Sequence, residues 1–137
     1  MRRFEEIDHS GDVGVEARGA TLAEVVENAT AGLFSLMTRA PVAPRVVRTV
    51  EVRATDAEAL LVEWLSEVIA LAATHGEVYG EVKVARATPT AAAGEVRGER
   101  VDADRHQLRF DVKAATYHAL LVERVRGGYR ARVIFDL

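Results

Sequence analysis

The chain has 137 residues, about one domain's worth, and its 49% apolar and 28% charged content suits a soluble globular protein and excludes a disordered one. A net charge of −3, from 21 acidic against 18 basic side chains, argues against broad electrostatic capture of nucleic acid while leaving room for a local basic patch. No cysteine is present, which excludes a disulfide framework, a thiolate nucleophile and a cysteine-type zinc site, and fits a reducing compartment.

The start, Met1-Arg2-Arg3-Phe4-Glu5-Glu6, turns acidic too early for a signal peptide. A short strand is expected over 4–7. Asp8-His9-Ser10-Gly11-Asp12-Val13-Gly14 then forms a connection, and Val13, Val15 and Ala17 alternate as a second strand. Thr21-Leu22-Ala23-Glu24 is a capping box. It opens a helix whose apolar positions run from Leu22 through Val25, Val26, Ala29, Leu33 and Leu36 to Met37, with Pro41 and Pro44 beyond the exit. Val50 and Val52 mark a strand. Thr55-Asp56-Ala57-Glu58 is a second capping box, leading a helix from Leu60 past Trp64 and Val68 to a stop at His75-Gly76. Its apolar stretch, 60–73, is broken by Glu63, Ser66 and Glu67 and is too short to span a bilayer. A cytoplasmic, membrane-free protein is therefore expected.

Val82 and Val84 flank Lys83 as a strand, whereas 88–98, rich in alanine, reads as a weak strand or a flexible excursion. Leu108, Phe110 and Val112 alternate as a strand. Residues 119–125, a turn at Gly127-Gly128 and 129–135 read as a closing hairpin. The expectation is one α+β domain over 1–137, a mostly antiparallel sheet with two amphipathic helices packed on it.

Two strings carry chemistry. Asp8, His9 and Asp12 at a strand connection could gather a hard cation on oxygen ligands. The same residue types are common in ordinary turns, and the string alone favours a turn. The ending Val133-Ile134-Phe135-Asp136-Leu137 sets the Asp136 carboxylate beside the α-carboxylate of Leu137; such neighbours repel unless a cation or donor compensates them. Taken alone, it reads as a solvated strand end. Of the other histidines, His75 belongs to a helix-ending turn, His106 to a solvated loop, and His118 to a sheet face or a site. No zincin pair, phosphate loop or serine elbow is present.

Taken together the strings resemble the archease family nearly end to end. The opening 4–14 is similar to the family's, which usually carries Thr-Ala where this chain has Ser10-Gly11. Asn28-Ala29 and Leu33-Phe34 are similar to its first helix, and Leu60-Leu61-Val62-Glu63-Trp64-Leu65-Ser66-Glu67 to its second. Lys113-Ala114-Ala115-Thr116-Tyr117-His118 resembles a Lys-Ala-x-Thr-Tyr-His signature, and the ending completes the series. Residues 88–105 match weakly.

The resemblance implies an accessory protein that promotes guanylylation and repeated turnover of the RtcB-type RNA ligase. RNA, as tRNA halves or broken strands, would then be met through the ligase. It also implies a metal site formed by Asp12, Asp136 and the terminal carboxylate of Leu137. Calcium is the expected ion and manganese or magnesium the alternatives. Asp8, His9, Lys113 and His118 are candidates for supporting that site or touching the partner. Two other readings compete: a metal-dependent phosphohydrolase using Asp8, Asp12 and His118, and an RNA chaperone or adaptor.

Overall fold

The computed structural model describes residues 3–9 and 11–137, and of His9 the backbone only. The first helix, α1 (Leu22–Met37), begins where the sequence places it: the Thr21 side chain accepts the Glu24 amide at 3.1 Å. The second, α2 (Ala57–His75), is capped by Asp56 rather than Thr55, its carboxylate accepting the Ala59 amide at 2.8 Å. Both residue types can cap, and the one standing immediately before the first helical residue does. Gly76, at φ 63°, takes the left-handed conformation that ends α2, and its amide donates to the Ala72 carbonyl. His75 therefore sits in the last helical turn, as expected.

The strands are β1 (Phe4–His9), β2 (Asp12–Gly19), β3 (Val46–Arg53), β4 (Glu77–Thr88), β5 (Ala91–Arg100), β6 (Ala114–Ala115), β7 (Leu121–Val125) and β8 (Gly128–Asp136). They form two antiparallel sheets where one was expected. The first runs β1-β2-β8, with β6 and β7 both paired to the far edge of β8. The second runs β3-β5-β4. Both helices touch strands of both sheets, so the helical layer is covered on two sides. That explains why both are apolar around much of their circumference. Val15, Val133 and Phe135 of the first sheet and Val50 and Val96 of the second are fully buried with Val25, Leu33, Leu60 and Leu65 of the helices.

One segment settles an open expectation and another overturns one. The alanine-rich stretch contributes β5, the central strand of the second sheet. A side chain on Gly94 would stand 2.0 Å from the Lys83 carbonyl, so close approach of β4 selects small residues there. Conversely, 107–113 forms no strand. Instead the amides of Arg109 and Phe110 donate to the carbonyls of Met37 and Leu36 at 2.9 and 3.1 Å. The segment thereby satisfies carbonyls that the end of α1 leaves without helical partners. A third, short helix, α3 (Ala103–His106), precedes it.

Candidate functional site

Pairing of β2 with β8 joins the two chemically suggestive strings. Val13 is registered with Phe135, so the next step along the ladder sets Asp12 beside Asp136. Val13 and Phe135 point into the core, and alternation sends both aspartates to the opposite face. His9 is registered with Asp12 through its backbone, and Ala114 with Asp136. One row at the end of the sheet therefore runs His9, Asp12, Asp136, Ala114, with Leu137 one residue further on. Asp136 and Leu137 are exposed and Asp12 is half-buried. Among the described residues neither aspartate side chain has an ion-pair partner. Like charges facing each other across strands are unfavourable unless something neutralises them.

The other expected residues are placed differently. Asp8 is registered with Val13 and so lies on the helix-facing side of the sheet, away from Asp12. It lines a cavity of about 250 Å³ with Glu6, Leu36 and Arg109. The side chain of His9, and Ser10 entirely, lie outside the described residues. The Lys113 backbone amide donates to the Asp136 carbonyl at 2.9 Å. Its ammonium group is 2.6 Å from the Asp111 carboxylate, so it is not spent on the aspartate pair. Thr116 donates both its amide and its hydroxyl to the Ile134 carbonyl, at 3.0 and 2.8 Å. That double anchor holds the start of the exposed Tyr117–His118 turn, which leads away from the acidic row. Asp8, Asp12 and His118 are thus not brought to one point. Among the described residues no three His, Asp or Glu side chains gather closely enough to hold a metal. The expected donor set is of another kind: two side-chain carboxylates and the main-chain carboxylate at Leu137. It consists of oxygen alone, which suits a hard cation.

Three carboxylate networks, two of them buried, stiffen the surroundings and were missed by sequence reasoning. Glu6 on β1 accepts from Ser35 at 2.6 Å, Arg39 at 2.8 Å and Arg109 at 2.9 Å. Burial alone would raise its pKa, but the Arg109 and Ser35 hydrogen bonds and the charges of Arg109 and Arg39 outweigh it and hold the group at about 2. Glu99 on β5 receives both Arg105 nitrogens at 2.7 and 3.0 Å and the Ala43 amide at 2.6 Å. His106 Nε2 lies 3.1 Å from the same carboxylate. The Arg105 bonds first, then those from Ala43 and His106, hold the carboxyl well below its usual range against the effect of burial. Glu77 on β4 takes a two-pronged contact from Arg48 at 2.6 and 2.9 Å and the Tyr79 hydroxyl at 2.9 Å.

His106 corrects the expectation of a solvated loop, because its side chain is completely buried. Nδ1 accepts the Asp102 amide at 2.8 Å, so the ring hydrogen is assigned to Nε2, facing Glu99. Thr38 donates its hydroxyl to the His106 carbonyl. This network pins α3, and the segment after it carries Lys113 to the sheet edge.

An α+β architecture of two antiparallel sheets enclosing a helical pair, with an acidic row where β2 and β8 end, defines a small class of proteins. The model of the Archease protein family (MTH1598/TM1083) matches residues 4–137, and the chain belongs to that family. The archease of Thermococcus gammatolerans is 38% identical and that of Pyrococcus furiosus 31% identical, with complete coverage of both chains in each case. Among solved structures, Methanobacterium thermoautotrophicum protein 1598 is similar with a TM-score of 0.81 at 33% identity, covering all of both chains. A Thermotoga maritima protein, described as an archease and possible chaperone, shares the fold with a TM-score of 0.65 at 18% identity, over 97% of this chain and 96% of its own. No helix among the described residues is long and apolar enough to cross a membrane.

Proposed function

We propose that this chain is an accessory protein, not itself the catalyst, that promotes guanylylation and repeated turnover of an RtcB-type RNA ligase. In this reading it presents a divalent cation at the acidic row of the first sheet. The observation that carries the proposal is the register of β2 with β8, which sets Asp12 beside Asp136 with no ion-pair partner for either among the described residues. The ligase partner is what the motifs' resemblance to archeases implies.

Asp12, Asp136 and the α-carboxylate at Leu137 would hold the ion, with calcium expected and manganese or magnesium as alternatives. A bound cation would supply charge stabilisation to phosphate oxygens in the ligase's pocket. The chain's own residues do the positioning. The Lys113 amide fixes the Asp136 carbonyl, the doubly anchored Thr116 fixes the start of the exposed Tyr117–His118 turn, and the rigid β2–β8 pair holds the two carboxylates at one separation. Favouring a ligase conformation that accepts nucleotide requires only that the chain bind that state better than the other. RNA substrates would be met through the ligase, in keeping with the overall negative charge.

The test combines this protein with its cognate ligase, GTP, manganese and broken RNA, and follows ligase guanylylation and ligations per ligase. Wild type should stimulate both, and a folded Asp12→Ala protein should lose most of that stimulation. Stimulation unchanged by Asp12→Ala removes the acidic row from the mechanism. Absence of stimulation of an otherwise active ligase removes the partner. Phosphoester turnover by the purified protein alone would replace this reading with the hydrolase.

A further inference from the structure

The end of the first sheet opposite the acidic row has a different character. Where β2 finishes at Gly19 and β8 begins at Gly128, a pocket of about 280 Å³ opens between them and the first turn of α1. Its floor is nearly bare of side chains: Gly19, Ala20, Gly127 and Gly128. The Gly127-Gly128 turn lies directly on Gly19 and Ala20, since a side chain on Gly128 would stand 2.1 Å from the Gly19 carbonyl.

Arg3, Arg18 and Arg126 line the pocket together with the acidic Glu24; the Arg18 side chain shares the outer face of β2 with Glu16 and Arg130, so the cations the pocket offers are Arg3 and Arg126. The buried Asn28 holds the Arg3 side chain against the backbone of β2. Asn28 accepts the Arg3 Nε–H at 3.0 Å and donates its amide to the Arg18 carbonyl at 2.6 Å. Among the described residues Arg3 is hydrogen-bonded through Nε alone, and its charge also feels Glu27. Arg18 reaches Glu16 only at 3.9 Å, and Glu16 also lies 3.7 Å from Arg130, so it is a shared and distant partner. Arg126 makes no hydrogen bond or ion pair among the described residues. Where arginines meet buried carboxylates elsewhere they are closely matched: Arg48, Arg105 and Arg109 each lie within 3 Å of an acidic oxygen. In this pocket the positive charge is in excess.

We infer that the pocket between Gly19, Gly127 and the start of α1 is a phosphate-binding site that takes a phosphomonoester group. Planar guanidinium forks present paired donors that match phosphate oxygens, and a phosphate dianion is drawn to such cations. The pocket's volume, just below the usual range for a ligand site, leaves room for a phosphate and part of the group that bears it. The group could belong to a free nucleotide or to the end of an RNA strand, and the chemistry recognised is the same. The site stands independently of the acidic row and of any metal there.

The experiment is an amide-resonance titration of the full chain with orthophosphate, GMP and a short oligonucleotide carrying a 3′-phosphate. Saturable shifts are expected at Gly19, Gly127 and Gly128. Arg126→Ala should weaken orthophosphate binding by about tenfold, the scale of one charge-assisted contact. Glu24→Gln should tighten it, because glutamine keeps the backbone amide that Thr21 caps and removes the opposing charge. Arg53→Ala, on the other sheet, should change nothing. GMP binding as tightly as the oligonucleotide identifies a free nucleotide as the source, and a much tighter oligonucleotide identifies an RNA end. Shifts absent from these glycines, affinity insensitive to Arg126→Ala, or equal binding of an oligonucleotide without its terminal phosphate would each overturn the site.

Discussion

Glu99 and Asp136 are both carboxylates on strands, and the molecule treats them in opposite ways. Glu99 is buried and met by a guanidinium fork, a main-chain amide and an imidazole N–H. Asp136 stands at a sheet end beside another carboxylate, and no ion pair answers either among the described residues. Burial explains the first case, because a desolvated charge survives only when paired and hydrogen-bonded. Exposure permits the second but does not produce it; two aspartates registered side by side lose stability through repulsion and gain nothing from the fold. The contrast separates groups that hold the structure from groups the structure holds out.

The sharpest way to break this contrast is to remove the buried partner. Glu99→Ala leaves Arg105, His106 and the Ala43 amide without their acceptor, and uncompensated buried donors are among the few causes of large single-site losses. Thermal melting should show a fall in Tm of several degrees, larger than that of Glu6→Gln or Asp136→Asn. Hydrogen exchange should quicken across 102–113 before it does in β2 and β8. A melting curve like that of wild type would show that the network carries little of the fold.

A smaller effect comes from acid. Glu6 is held at about 2 against an ordinary 4.5, so its folded form binds a proton less readily than the unfolded chain. Its contribution is therefore fully present above about pH 4.5 and lost as pH falls through about pH 2. The lowered carboxyls of Glu77 and Glu99 act in the same direction. Glu6→Gln should be less stable than wild type at neutral pH, and the gap should close as the pH is lowered through that window. A constant gap at all pH values would assign the loss to packing alone.

How much of this was legible in the sequence follows from the range of the interactions. The start of α1 could be read because Thr21, Glu24 and the apolar stripe lie within a few turns of one another. The end of α2 could be read for the same reason, with Gly76 directly after His75. The strand β5 was legible only as one of two readings, because Ala92, Ala93 and Gly94 are chosen by the closeness of β4 rather than by any pattern of their own. The burial of His106 was hidden, since it depends on a carboxylate placed by the second sheet. Asp12 and Asp136 lie near opposite ends of the chain, and neither string alone made a site. Family resemblance joined them, and β2–β8 pairing gives the geometric reason they meet.

The smallest structural effect, and the most discriminating, is expected at the acidic row. Asp136→Asn removes one of two facing charges at an exposed position, so without added metal its Tm should match wild type or rise slightly. Calcium should raise the Tm of wild type progressively with concentration, because a ligand that binds only the folded state stabilises it by mass action. That rise should be lost in Asp136→Asn. It should also shrink when the chain is extended past Leu137, which turns the terminal carboxylate into a neutral amide. Equal calcium shifts in all three proteins would mean that the ion binds elsewhere, and the unpaired aspartates would need another partner, such as donors on the ligase itself. Loss in Asp136→Asn with the extended chain unaffected would keep the aspartate pair as ligands and release Leu137. The two outcomes differ because Asp12 and Asp136 are fixed by a strand ladder, whereas the Leu137 carboxylate lies one residue beyond it.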